Sequence, residues 1–502
     1  MRLSGRLVFS FLALLLLAPP AVPADEPASG LHQTPDQFVD TDGQRKPIAT
    51  KAQWEQRRAE ILKGMQRAMG PLPDRGKFPQ VQLEVLERAE LDGGVRRNKI
   101  RYRTDSQDRI VHAWVFFPKP SPGKDPEKPA EDKRAGILCL HQTTGIGKGE
   151  PAGLGGLPNL HYALELAQHG FVTLAPDYPS FGEYPYTFPK EDGYVSGTMK
   201  AIADNLRAVD ILETGLARVD GSRIGCIGHS LGGHNTMFTA AFDPRIKAMV
   251  SSCGFTRFHK YYGGKLAGWT SPRYMPLIAS EFHNSADEVP FDFPEIVAAF
   301  APRPFLACSP VGDDNFEVSG VKDTIAEATP IYRLYGAEKN LQATYPECAH
   351  DFPPETRELA YRFFEKELAD NRSTTEADLK GPFILGDQIR LATIKSDIVE
   401  PDSVTLRKRP KNTLGVGIDF MFKGPESPDS RITVSVDLFD ASGRRLAGNQ
   451  VVCKDARVTA AIPFIETEVV NISRMSSAYF RLKMTDQQIA SIHSARLRFT
   501  KL

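Results

Sequence analysis

The chain has 502 residues, of which 41% are hydrophobic and 25% charged, and 62 Lys and Arg balance 62 Asp and Glu. That length allows two or three domains and a large core. A net charge of zero excludes long-range steering toward nucleic acid or anionic lipid, and short basic runs such as Arg407-Lys408-Arg409 do not make a local footprint for either.

The first 24 residues read as a secretory signal peptide. Arg2 and Arg6 precede an apolar stretch from Leu7 to Ala18, and Val22, Pro23 and Ala24 offer small residues before Asp25. The apolar run is about a dozen residues, short of the roughly 20 a spanning helix needs. The expectation is a secreted or periplasmic protein with no stable membrane insertion after cleavage. Asn371 and Asn471 fit the glycosylation acceptor pattern, which matters only in a eukaryotic host. Of the six cysteines, Cys139, Cys226 and Cys308 lie inside apolar runs and read as free buried thiols. No cysteine pair has the spacing of a zinc or redox motif, and neither a metal nor an organic cofactor is expected.

Residues 25–84 form an N-terminal lead-in. Thr50 and Gln53 suggest a capping box, and Trp54, Ile61, Leu62, Met65 and Met69 follow at helical spacing until Gly70-Pro71 stops the helix. Antiparallel strands are expected across 80–118, where RRNKIRYRT and IVHAWVFFP alternate. From residue 135 the rhythm changes to continuous apolar runs separated by helical segments. AGILCLH, FVTLAPDYP, RIGCIG, IKAMVSSCG, PFLACSPVG and LQATYPE read as strands buried on both faces. Such alternation predicts a doubly wound, mostly parallel α/β sheet over 85–370, with its site at the strand C-terminal ends. Beyond it, LGVGIDFMF, RITVSVDLF and SARLRFTKL alternate, predicting a separate all-β sandwich over 380–502.

One corner carries the chemistry. Gly228-His229-Ser230-Leu231-Gly232 fits G-x-S-x-G, with a strand before it and a helix after it. Small neighbours let the chain turn sharply and lift Ser230 above the sheet edge, and the Leu231 amide then opens a helix where an oxyanion would form. An acid and then a histidine should follow. Asp313 and Asp314 end the fifth buried strand, and Asp313 is preferred because Phe316 stands three positions on to pack the loop down. His350 is the histidine in the slot after the sixth strand. The loop after the first buried strand should supply a second oxyanion donor from Gln142 or Thr143. In that loop, Gly145-Ile-Gly-Lys falls short of a phosphate loop because Gly149 follows Lys148. Two aromatic-rich loops, 178–188 and 255–300, bring Tyr184, Tyr186, Tyr262 and Trp269 as candidates for stacking on substrate.

On the motifs LCLHQTTGIGK, LAPDYPSFGE, GHSLGGH, APRPFLACSPVGDDNF and AHDFP, residues 85–370 resemble the α/β-hydrolase superfamily. The nearest likeness is to its dienelactone hydrolase and acetyl xylan esterase branch, which shades into the prolyl oligopeptidase family. The resemblance implies a serine hydrolase that cleaves small-molecule or polysaccharide esters, or less often peptides. Three departures stand out. Dienelactone hydrolases proper use cysteine where this chain has Ser230. The large N-terminal propeller of prolyl oligopeptidases is missing, and the C-terminal β domain is standard in neither. A peptidase and an inert carbohydrate-binding protein are the rival expectations.

Overall fold

In the computed structural model the residues described are 34–40, 42–105, 109–121, 132–369, 374–380, 383–390, 399–409, 412–422, 431–442, 444–454, 467–472 and 475–501. The expected signal peptide, Asn371 and the DSQD turn beyond Asp105 lie outside them. Backbone contacts divide the chain into two units, Met1–Ala369 and Asp370–Leu502.

The first unit opens with a short antiparallel pair, β1 (Gln37–Val39) and β2 (Arg45–Pro47). Helix α1 (Lys51–Met69) begins at the capping box: Thr50 Oγ1 accepts from Gln53 N at 3.2 Å, and Gln53 Oε1 accepts from Thr50 N at 3.0 Å. Trp54, Ile61, Met65 and Met69 are buried in the main core, so the lead-in helix is part of that core. The strands β3 (Leu83–Glu90), β4 (Arg96–Arg103) and β5 (Ile110–Phe117) form an antiparallel flank.

The remaining strands are β6 (Arg134–Leu140), β7 (Val172–Pro176), β8 (Val219–His229), β9 (Ile246–Ser252), β10 (Phe305–Cys308) and β11 (Leu341–Thr344). The nine run in the order β11-β10-β9-β8-β6-β7-β5-β4-β3. Every pairing from β7 across to β11 is parallel, and β5 joins β7 antiparallel. β7, β9 and β10 are buried almost throughout because helices cover both faces. Those helices are α2 (Tyr162–Gln168), α3 (Gly197–Asp210), α4 (Leu231–Phe242), α5 (Leu277–Ser280), α6 (Phe293–Ala298), α7 (Val318–Leu334) and α8 (Pro354–Glu367). After β6 the chain moves to β7 on one side and then to β8 on the other. This is a topological switch point, and crevices form at the strand C-terminal ends beside it.

Among its described residues the second unit is all-β apart from the short α9 (Asp486–Ala490). One sheet joins β12 (Thr374–Lys380), β20 (Ser494–Lys501), β16 (Arg431–Phe439) and β17 (Arg445–Lys454). The other joins β13 (Gln388–Arg390), β14 (Val399–Arg409), β15 (Thr413–Phe422), β19 (Met475–Lys483) and β18 (Thr467–Ile472). Leu414, Val416, Ile418 and Phe420 of one sheet share a core with Ile432, Val434, Val436 and Leu438 of the other. Phe420 meets Phe499 edge-on at 5.6 Å, so the two sheets pack as a sandwich.

Candidate active site

At the end of β8 the backbone turns directly into α4, and Ser230 occupies the join with φ 54° and ψ −116°. A non-glycine residue rarely adopts that conformation, which costs on the order of 1–3 kcal/mol and persists only where its surroundings enforce it. Here Ser230 N donates to Ser252 O at 2.8 Å. The glycines explain how the corner closes. A Cβ on Gly228 would lie 2.2 Å from Gly232 backbone, and one on Gly232 would lie 1.9 Å from Leu140 O. The turn therefore folds onto itself and onto the end of β6, with no room for a methyl group at either position.

Leu231 is the first residue of α4, so its amide belongs to the helix start, where N–H groups have no partner inside the helix. Facing it, the loop after β6 is held in place from behind. His141 Nδ1 donates to Gln142 O at 2.5 Å while its Nε2 accepts from Tyr178 N at 3.0 Å, which fixes the tautomer. Burial lowers the His141 pKa, in keeping with a neutral ring. Farther along, buried Lys148 pairs with Asp177 at 2.6 Å and with Glu183 at 2.6 Å, and Glu183 also pairs with Lys99. Thus Lys148 braces this loop against the one after β7. Gln142 spends its side-chain amide on Glu150 at 3.1 Å, and exposed Thr143 meets Tyr274 Oη at 3.3 Å.

The acid and the imidazole come from the next two strand ends. His350 Nδ1 lies 2.9 and 3.0 Å from the two Asp313 oxygens. Asp313 also accepts from Asn315 N at 2.8 Å and Phe316 N at 3.0 Å. Burial alone would raise its pKa, but the His350 hydrogen bond and charge, helped by the two amides, hold it below the ordinary carboxylate value. Asp314 is exposed, and Phe316 is buried with its ring 6.0 Å from that of His350. Behind His350, the His229 ring meets it edge-on at 4.9 Å and lies 3.0 Å from Ser252 Oγ. Burial first, and the neighbouring His350 second, push the His229 pKa down to about 3.

Ser230 opens into a small cavity of about 70 Å³, lined with Leu231, His234, Trp269, Tyr274, Asn315 and Phe316 among others. No Lys, Arg, Asp or Glu lines it. Burial pushes the His234 pKa down to about 3, so that ring too is neutral. Among the described residues Ser230 Oγ makes no hydrogen bond, so its hydroxyl is available to an incoming group.

Two expectations need correction. Tyr184 and Tyr186 do not reach this cavity. They are 4% and 5% exposed, and with Tyr194 their rings surround the Lys200 ammonium at 5.2–5.6 Å. That ammonium is itself buried against Asp204 and Asp105, and the loop folds its tyrosines inward to cover it. Trp269 does line the cavity, and Tyr262, half exposed, donates to Asn315 Oδ1 at 3.1 Å. The Lys148–Asp177–Glu183 brace and the lining residues Tyr274 and Asn315 carry no sequence motif that points to them. Cys139, Cys226, Cys253 and Cys308 are free and buried.

Comparison with known proteins matches residues 159–369 to the prolyl oligopeptidase family. The chain is 29% identical over 323 residues, 62% of its length, to the whole of the Bacillus subtilis (strain 168) protein named "Putative hydrolase YtaP". It is 26% identical over 171 residues to "Carbohydrate esterase MZ0003", from an unknown prokaryotic organism, matching 32% of this chain and 39% of that one. Among solved structures, a glucuronoyl esterase from Solibacter usitatus superposes with a TM-score of 0.52 at 19% identity, covering 69% of this chain and 99% of the other. That likeness is one of fold, and the fold is the α/β-hydrolase fold.

Proposed function

We propose that the chain is a serine hydrolase that cleaves carboxylic esters through Ser230, His350 and Asp313, a reading supported by its α/β-hydrolase fold and its hydrolase relatives. Ser230 Oγ attacks the ester carbonyl carbon while His350 Nε2 takes its proton. Asp313, bonded to His350 Nδ1, holds the imidazole tautomer and stabilises the imidazolium. The Leu231 amide and a backbone amide at Gln142 or Thr143 receive the oxyanion. His350 then protonates the leaving alcohol, and water attacks the acyl-enzyme with His350 again as base. Hydrogen bonds of this kind commonly tighten only when substrate is bound.

One observation carries the reading: a buried carboxylate holds His350 Nδ1 at the same strand ends that hold a strained Ser230 whose hydroxyl is unbonded. The small cavity without charged lining suits a short, uncharged acyl group better than a uronate or a bulky aromatic acid. Together with the carbohydrate esterase relative, it favours short acyl esters on carbohydrate. The Arg2–Ala24 segment favours export to the periplasm or the exterior, and no described helix is long and apolar enough to cross a membrane. A second reading, peptidase activity, has the prolyl oligopeptidase family match in its favour.

A fluorophosphonate probe tests the nucleophile. Wild type should be labelled and Ser230→Ala should not, with ester hydrolysis falling by about 10⁴-fold or more. A folded wild type that resists the probe ends the proposal. Acetylated sugars against aminoacyl p-nitroanilides separate the two readings, and cleavage of the anilides alone would favour the peptidase.

A further inference from the structure

Beside the imidazole of His350 lie two more soft donors. His229, Cys253 and His350 each offer one ligand atom, and these atoms all lie within 4.8 Å of one another. Each residue is aimed by a neighbour. Ser252 Oγ is 3.0 Å from His229 Nδ1, and Asp313 Oδ2 is 2.9 Å from His350 Nδ1. Cys253 N donates to Cys308 O at 2.9 Å, and its Sγ lies 3.4 Å from Asp351 O. Both Nδ1 atoms are already engaged, so coordination through Nε2 would leave those bonds in place. Metal-binding histidines are commonly oriented in this way, through a hydroxyl or carboxylate on the other ring nitrogen.

Two imidazoles and a thiolate are a borderline-soft donor set that suits Zn²⁺ and its neighbours rather than Mg²⁺ or Ca²⁺. Donors around tetrahedral zinc stand roughly 3.5 Å apart, so the cluster must contract by about 1 Å. His229 and Cys253 are buried, whereas the His350 side chain is 28% exposed and sits on a loop. It is the member with room to move, and its open side is the way in.

We propose that His229, Cys253 and His350 form an inhibitory site for a zinc-like divalent cation. Coordination breaks the Cys253 S–H bond and forms a sulfur–metal bond, the proton leaves to solvent, and no electron is transferred. The metal occupies the His350 lone pair that the proposed reaction needs for the Ser230 proton, so hydrolysis stops while Ser230 stays chemically intact. The inhibitory role rests on the catalytic reading of His350, but the binding site does not.

Two measurements keep those claims apart. Zn²⁺ alone, at tens of micromolar or below, should reversibly reduce ester hydrolysis by about tenfold or more, EDTA should restore it, and millimolar Mg²⁺ should do neither. Cys253→Ala, and the closer isostere Cys253→Ser, should keep basal activity within about twofold and need at least about tenfold more Zn²⁺. Separately, Co²⁺ should give a near-ultraviolet thiolate-to-cobalt absorption band in wild type, in Ser230→Ala and in Cys348→Ala, and not in Cys253→Ala. The band needs no turnover, so it reports the site even if the hydrolytic reading fails. Equal zinc sensitivity in wild type and Cys253→Ala, or no such band in the folded wild type, overturns the proposal.

Discussion

The two units solve the burial problem differently. In Asp370–Leu502 the core is apolar from both sheets, and Ser403 is the one buried polar residue among those described. In Met1–Ala369 the interior also holds Arg57 with Glu295, Lys148 with Asp177, Lys200 with Asp204, and His229, His234 and Asp313. Buried charge is costly unless paired, and replacing such pairs with apolar residues is often neutral or stabilising. Stability alone therefore does not require it. Around Ser230 the polar groups fix dipoles and loop positions that the proposed chemistry needs, whereas the sandwich is built by alternation alone.

The largest test of that difference compares one hydrogen-bonded carboxylate from each unit, buried Asp313 in the first and half-buried Asp419 in the second. Asp313→Asn should lower kcat/KM by about 10³–10⁴-fold, because the amide can no longer hold the imidazole as a donor at Nδ1. Asp419→Asn, whose carboxylate accepts from Ser403 Oγ at 2.9 Å in the sandwich, should leave kcat/KM within about twofold. Asp314→Asn, at an exposed position, should do the same. A comparable loss in Asp314→Asn would move the acid one residue along.

Two glycines sharpen the contrast in backbone packing. Gly232→Ala places a methyl 1.9 Å from Leu140 O, and neither backbone can yield without moving the corner. We expect a loss of about 2–4 kcal/mol in stability, and activity reduced further by misplacement of Ser230. In the sandwich, Gly415→Ala meets its nearest atom at 3.4 Å and should change the unfolding free energy from urea titration by less than about 1 kcal/mol. Equal effects would mean that the elbow is no tighter than an ordinary strand.

Acid should separate the units next. His229 and His234 are held neutral by burial, with pKa values near 3. Below the ordinary histidine value of about 6.5, the unfolded chain binds protons that the folded chain refuses, so stability falls as pH drops from about 6.5 toward 3. Between pH 7 and pH 5 each ring should cost the first unit about 2 kcal/mol. The sandwich has only His493, which is exposed, and should lack this slope. Denaturation of wild type at the two pH values, followed by tryptophan fluorescence, reads the first unit alone because all three tryptophans, Trp54, Trp114 and Trp269, lie in it. A midpoint that does not move would show that the rings take up protons while folded.

What the sequence made legible follows the same division. Period-two alternation marks the sandwich strands, and continuous apolar runs mark the parallel ones, because both patterns are set by burial that each strand experiences locally. The elbow was readable because its glycines are a local steric demand. Helix α7 is hard to read from sequence, since its apolar face is interrupted by polar residues and by Pro330. The Lys148 brace, the wall formed by Tyr274 and Asn315, and the meeting of Cys253 with two histidines join residues far apart in the chain, and no spacing rule reaches across that distance.

The smallest predicted effect separates aromatic residues that composition alone treats alike. Tyr184 and Trp269 both sit in aromatic-rich loops, and both are almost fully buried. Burial alone cannot rank them; what each ring faces can. Tyr184 faces the Lys200 ammonium, whereas Trp269 lines the Ser230 cavity with its indole N–H unbonded. Trp269→Phe removes that donor and some wall, and should raise KM by a few-fold, the loss expected for one modest contact. Tyr184→Phe keeps the ring over the ammonium and should leave KM within about twofold. If the two substitutions shift KM alike, the cavity beside Ser230 is not where substrate is held, and the acyl group must be gripped from the open side of the strand ends instead.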